Sequence, residues 1–107
     1  MGIIKHDAIL PYIEWNGYVI TTYPSVDENG EYIWDRFDLD IALDDEEMRT
    51  ILRKSFNKKE LLEKISNEVD LSELFGIKGF NSIRNDKAYF TAFLKLIEEA
   101  PFCEARI

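Results

Sequence analysis

A chain of 107 residues is long enough for one hydrophobic core and too short for two, and with 46% hydrophobic residues, 13% aromatic and three prolines it excludes wholesale disorder. One cysteine, Cys103, excludes an internal disulfide and fits a reducing compartment, no apolar run reaches membrane-spanning length, and Met1 to Leu10 lacks the apolar stretch of a signal peptide. A net charge of -8 argues against direct contact with phosphate backbones, which bind clustered Lys and Arg. A single cytoplasmic domain spanning residues 1–107 is therefore expected.

The first half reads as strands. Ile9 to Trp15, then Asn16-Gly17, then Tyr18 to Tyr23 predicts a β-hairpin, because Asn-Gly readily takes the positive φ pair of a type I′ turn. Pro11 lacks an amide donor and places the first strand at a sheet edge. Pro24 to Gly30 reads as a loop, with Asn29-Gly30 as a second turn signal. In the next strand Ile33, Phe37, Leu39, Ile41 and Leu43 point one way while Tyr32, Trp34, Arg36, Asp38 and Asp40 point the other. Asp35 interrupts the apolar face, which predicts a bend or bulge there.

From Asp44 the period becomes helical. Asp44 as N-cap and Glu47 as its capping-box partner predict a helix with Met48, Ile51, Leu52 and Phe56 on one face. Asn57 with Glu60 opens a second helix through Leu61, Leu62 and Ile65, and Asp70 with Glu73 a third that stops near Gly76. Asn85 or Asp86 starts the last, whose face is Tyr89, Phe90, Phe93, Leu94 and Ile97 and which Pro101 ends. Phe102 to Ile107 could add an edge strand. The sum is an α+β fold: an N-terminal antiparallel β-meander of about three strands packed against three to four C-terminal helices.

Charge is distributed far less evenly than hydrophobicity. Asp27, Glu28, Glu31, Asp35, Asp38, Asp40, Asp44, Asp45, Glu46 and Glu47 face Arg36 alone across 21 residues, a net of -9, while the other 86 residues hold 11 acids and 12 bases. Four of these acids have a local use at the predicted helix start, where carboxylates favour the macrodipole. The six from Asp27 to Asp40 have none, and a concentrated negative field implies a positive partner. With Trp34 and Tyr32 as aromatic anchors, the candidate partner-binding set is Asp27, Glu28, Glu31, Tyr32, Trp34, Asp35, Asp38, Asp40, Asp44 and Asp45.

Catalytic sets are harder to assemble. His6 is the only histidine and reads as a solvated residue, and Cys103 without an activating histidine reads as a small buried hydrophobe. Asp27, Asn29, Glu31, Ile33, Asp35 and Asp38 fall at calcium-loop positions, but Tyr32 stands where the sharp turn needs glycine and the final glutamate is missing. Asp38 and Asp40 form an Asp-x-Asp pair without a phosphate-cradling glycine loop, so a solvated face is preferred to magnesium. No metal, no cofactor and no enzymatic activity are expected.

Small size, low cysteine content and the acidic segment from Asp27-Glu28-Asn29-Gly30-Glu31 through Asp38-Leu39-Asp40 to Asp44-Asp45-Glu46-Glu47 together resemble the bacterial immunity proteins, in particular those of contact-dependent growth-inhibition (CDI) toxin/immunity systems. The resemblance implies a protein that binds a cognate basic toxin domain one to one and neutralises it. Such toxins are often nucleases, and an acidic surface could occlude the basic active-site cleft. An acidic adaptor or regulatory subunit for another basic protein, and a DNA-mimic inhibitor, are the alternatives.

Overall fold

Asn16 and Gly17 both adopt positive φ, 53° and 83°, and this turn joins the first long strand pair, with Trp15 opposite Tyr18. The computed structural model describes residues 3–7 and 10–100. It contains β1 (Lys5–Asp7), β2 (Leu10–Trp15), β3 (Tyr18–Val26), β4 (Tyr32–Leu43) and β5 (Thr50–Asn57), then α1 (Lys58–Ser66), α2 (Leu71–Phe75), a 3₁₀ helix (Phe80–Asn85) and α3 (Lys87–Glu98). All strand pairs are antiparallel and the spatial order is the chain order, a meander with helices following it. The fold class is thus the α+β arrangement read from the sequence.

Two strands were not anticipated. β1 pairs with β2, His6 opposite Pro11, so β2 is internal and the three-residue β1 forms the edge. Pro11 is tolerated because the β2–β3 register begins one residue later, at Tyr12 opposite Thr21. The larger correction concerns residues 44–57, where the predicted helix is a tight turn followed by β5. Asp45, not Asp44, does the capping: its carboxylate accepts the amides of Glu47 and Met48 at 3.0 and 2.8 Å, and Met48 takes a left-handed φ of 49°. Leu43 N–H then bonds Arg49 C=O at 2.9 Å and launches the return strand.

A register shift between Ile41 and Ala42 makes Ile51 an extra residue on β5, so Ile51 and Leu52 break strict alternation and imitate helical spacing. The irregularity expected at Asp35 is present too, between the pairs Pro24–Phe37 and Val26–Tyr32. β3 runs on through Pro24, which shortens the expected loop to a turn between Asp27 and Glu31.

One sheet face is apolar in cross-strand rows: Ile13, Ile20, Ile41 and Leu52 form one, and Pro24, Phe37 and Phe56 another. Helix α3 lies over β2 and β3, and α1 over β4 and β5. The predicted caps hold α1 and α2, where Asn57 Oδ1 accepts Glu60 N–H at 2.9 Å, Asp70 accepts Ser72 N–H at 2.8 Å and Gly76 ends α2 in the left-handed region, while α3 follows Asp86 as expected but without a side-chain cap bond. Phe93 and Ile97 are buried as expected, joined by Ala92 and Leu96, while Tyr89, Phe90 and Leu94 are half-buried. Cys103, Pro101 and the edge strand anticipated over Phe102 to Ile107 lie outside the described residues, as does the side chain of His6.

The 3₁₀ helix carries Phe80, which is fully buried and packs edge-on against Trp15 (5.5 Å between centroids), Phe75 (5.4 Å) and Phe93 (5.9 Å). Phe80→Ala is expected to lower the unfolding free energy by about 3–5 kcal/mol, read from urea denaturation. Thr22 is the opposite case: its side chain is buried among the apolar rows and its hydroxyl has no partner among the described residues. Thr22→Val, which keeps the shape and removes the unsatisfied group, should raise stability by about 1 kcal/mol in the same assay.

Candidate binding surface

Helices cover one face of the sheet, and the other carries polar residues in register. Tyr12, Thr21, Asp40 and Arg53 form one row across β2 to β5, and Tyr23, Asp38 and Ser55 form another. Arg53 is the hub. Its guanidinium lies 3.3 Å from Asp38 Oδ2 and 3.7 Å from Asp40 Oδ2, and its Cζ sits 4.2 Å above the Tyr23 ring. Ser25 donates to Asp38 at 2.6 Å and pairs with Ser55 at 3.1 Å, while Arg36 donates to the Ser55 hydroxyl at 2.9 Å and to the Ser55 carbonyl at 3.1 Å.

Asp38 and Asp40 are therefore not the free outward carboxylates that alternation alone predicted. Asp40 retains only 8% of its exposure although it is on the helix-free face. Burial pushes its pKa above the ordinary carboxylate value, Asp38 adds to the rise, and Arg53 and the Thr50 hydroxyl oppose it. At the sheet's other flank Lys5 bonds Glu14 at 2.6 Å, and that bond raises the lysine's pKa.

The remaining acids separate into two groups at opposite ends of β4. Asp44, Asp45, Glu46 and Glu47 occupy the β4–β5 turn, where Arg49 stands 3.4 Å from Glu47 and 3.8 Å from Asp45. Asp27, Glu28, Glu31 and Asp35 surround the β3–β4 turn. Asp27 is committed to that turn, its Oδ1 accepting the amides of Asn29 (2.8 Å) and Glu31 (3.0 Å), and Asp35 accepts a bond from Asn57 at 3.1 Å. β4 runs from Tyr32, opposite Val26, to Leu43, opposite Tyr18, and the β3 stretch between those partners, at about 3.3 Å per residue, holds the two turns roughly 26 Å apart, about three Debye lengths at physiological salt. They act as two separate fields, so the candidate set does not form one continuous acidic surface.

Aromatic exposure distinguishes the groups. Trp34 is 64% exposed and Tyr32 41%, and both belong to the β3–β4 end together with Val26 at 53%. Exposed Met48 and Ile51 mark the other end but bring no aromatic ring. Val26 was not singled out from the sequence; its register partner Tyr32 is what brings it to the patch. Arg53 was missed because residues 50–57 were read as helical, whereas Arg53, Ser55 and Asn57 alternate with Leu52, Lys54 and Phe56.

The chain matches no protein-family model, no curated protein and no solved structure. No helix among the described residues is long and apolar enough to cross a membrane.

Asp40 gives the surface a pH signature. Below about pH 3.8, the ordinary value for this carboxyl, it is protonated in folded and unfolded chains alike. As pH rises through that value the unfolded chain releases its proton first, the folded state binds more protons, and ionising Asp40 removes stability. Asp40→Asn should accordingly be more stable than the parent at pH 7, with the difference disappearing near pH 3. Denaturant titrations at both pH values check this; an equal or lower stability at pH 7 would show that the Arg53 pairing outweighs burial.

Proposed function

We propose that this protein is an immunity protein that binds a basic antibacterial toxin domain and neutralises it. The observation that carries the reading is the exposed Val26, Tyr32 and Trp34 patch set among Asp27, Glu28, Glu31 and Asp35. An exposed tryptophan inside a negative field combines the two ingredients of a fast, tight protein interface: long-range attraction that speeds encounter and an aromatic anchor that slows escape. Capture of a toxin before damage accumulates needs both.

Charge placement refines which acids take part. Asp38 and Asp40, satisfied by Arg53 and Ser25, have little field left for a partner, and Glu28 and Glu31 carry the attraction instead. A DNA mimic would need carboxylates spaced evenly along one face, and two acidic ends separated by a charge-balanced middle do not provide that spacing. An adaptor for another basic protein remains the second reading, since the same surface would serve it. An acidic anchor that fills a toxin's substrate cleft would also account for neutralisation without any catalytic group on this chain.

Co-expression tests the proposal. The gene directly upstream is expected to encode a polypeptide whose C-terminal domain kills the host when produced alone, and producing this chain beside it should restore growth and yield a one-to-one complex on gel filtration. An upstream product that is harmless, or whose toxicity this chain leaves unchanged, would refute the immunity role.

A further inference from the structure

Strand pairing at the β3–β4 end stops in a telling place. β2 accompanies β3 only over Tyr18 to Thr21, and β5 accompanies β4 only as far as Arg36 opposite Asn57. Past that point β3 and β4 have only each other: Ser25 and Val26 continue β3 against the bulged residues 32–35 of β4, roughly 7 Å of strand beyond the sheet, before the turn from Asp27 to Glu31. Its residues from Val26 to Tyr32, with Trp34 and Asp35, are exposed. A two-stranded ribbon alone in water is marginal. This one is tied at its base by Arg36 to Ser55, Asn57 to Asp35 and Ser25 to Asp38, and closed at its tip by Asp27 N–H to Glu31 C=O at 2.8 Å.

We infer that this ribbon is a finger that inserts into a concave basic cleft of the partner, with Trp34 as the buried anchor and Glu28 and Glu31 meeting cationic side chains inside it. The inference rests on the immunity reading and deepens it, because it assigns the contact to one end of β4 and gives the partner surface a shape. A flat partner could cover the polar sheet face and both acidic ends; a projecting ribbon with its apolar and acidic groups at the tip matches a recess. The opposite group at Asp44 to Glu47 has Arg49 among its carboxylates and lies roughly 26 Å away along β3, at about 3.3 Å per residue, outside such a recess.

The test uses the full chain and the purified toxin domain encoded upstream, with binding rates followed at low and physiological salt. Trp34→Ala should weaken the complex roughly 30-fold, mainly through faster dissociation. Glu28→Lys combined with Glu31→Lys should slow association about tenfold at low salt. At physiological salt, where the Debye length is about 8 Å, Glu46→Lys combined with Glu47→Lys should change binding by less than about threefold. Complex formation should also shield Trp34 from acrylamide quenching, a change that Trp34→Phe abolishes, and denaturation midpoints confirm that each variant is folded. If wild type binds but the finger variants bind equally well, or the Glu46/Glu47 variant weakens as much as they do, the finger is overturned while the immunity reading stands. If wild type does not bind the domain at all, the immunity reading falls and the finger with it.

Discussion

Burial of one sheet face around Phe80 is the constraint on which the rest depends. Helices of nine, five and twelve residues are too short to persist by hydrogen bonding alone, so they exist because they cover that face. Phe80 is where the layers meet: it contacts Trp15 and Tyr18 on either side of the first hairpin turn, Phe75 from α2 and Phe93 from α3. The backbone segment that presents it is held by its own polar clasp, in which Asn81 Oδ1 accepts Leu71 N–H at 2.8 Å and Ser72 Oγ accepts Asn81 N–H at 2.9 Å. Arg84 completes it by donating to the carbonyls of Ile65 and Val69 at 3.1 and 2.7 Å, tying the end of α1 to the 3₁₀ helix.

Covering one face with helices leaves the other to be made stable with polar groups, and that requirement sets the fate of the central acids. A carboxylate in mid-sheet is desolvated by its row neighbours, and leaving it unpaired would cost several kcal/mol. Arg53 offsets part of this for Asp38 and Asp40 together, burial still outweighing it at Asp40, and the pairing is why the most regular part of the acidic stretch contributes least to the outward field. Acids at the strand ends face water and need no such partner. The electrostatic pattern of the molecule follows from sheet geometry as much as from composition.

Local chemistry was legible in the sequence wherever it acts alone. Asn16-Gly17, the Asn57 and Asp70 caps and the Gly76 stop each depend on residues within a few positions, and each is present. Residues 44–57 misled because two signals agreed for the wrong reason: Asp and Glu at capping-box spacing, and apolar residues at Ile51, Leu52 and Phe56. The bulge at Ile51 generated the second signal, and a bulge depends on the partner strand rather than on local sequence. The same misreading hid the Arg53 pairing, because a cross-strand contact cannot be read while one of its strands is taken for a helix. Exposure of Trp34 was equally open from sequence, since alternation gives a face and not the length of the neighbouring strands.

Strand length is also what links stability to recognition here. The hydrogen bonds from Arg36, Ser25 and Asn57 lie at the line where the sheet narrows from three strands to two, so they stabilise the sheet and fix the direction in which the ribbon leaves it. A recognition loop held only by its turn would lose conformational entropy on every encounter, at about 1–2 kcal/mol per ordered residue. Ordering the ribbon through a network already needed to neutralise Asp38 places that loss in folding rather than in binding. The charged residues that contribute little to the outward field therefore matter to recognition indirectly, by keeping Trp34 and its acidic neighbours at a constant position relative to the core.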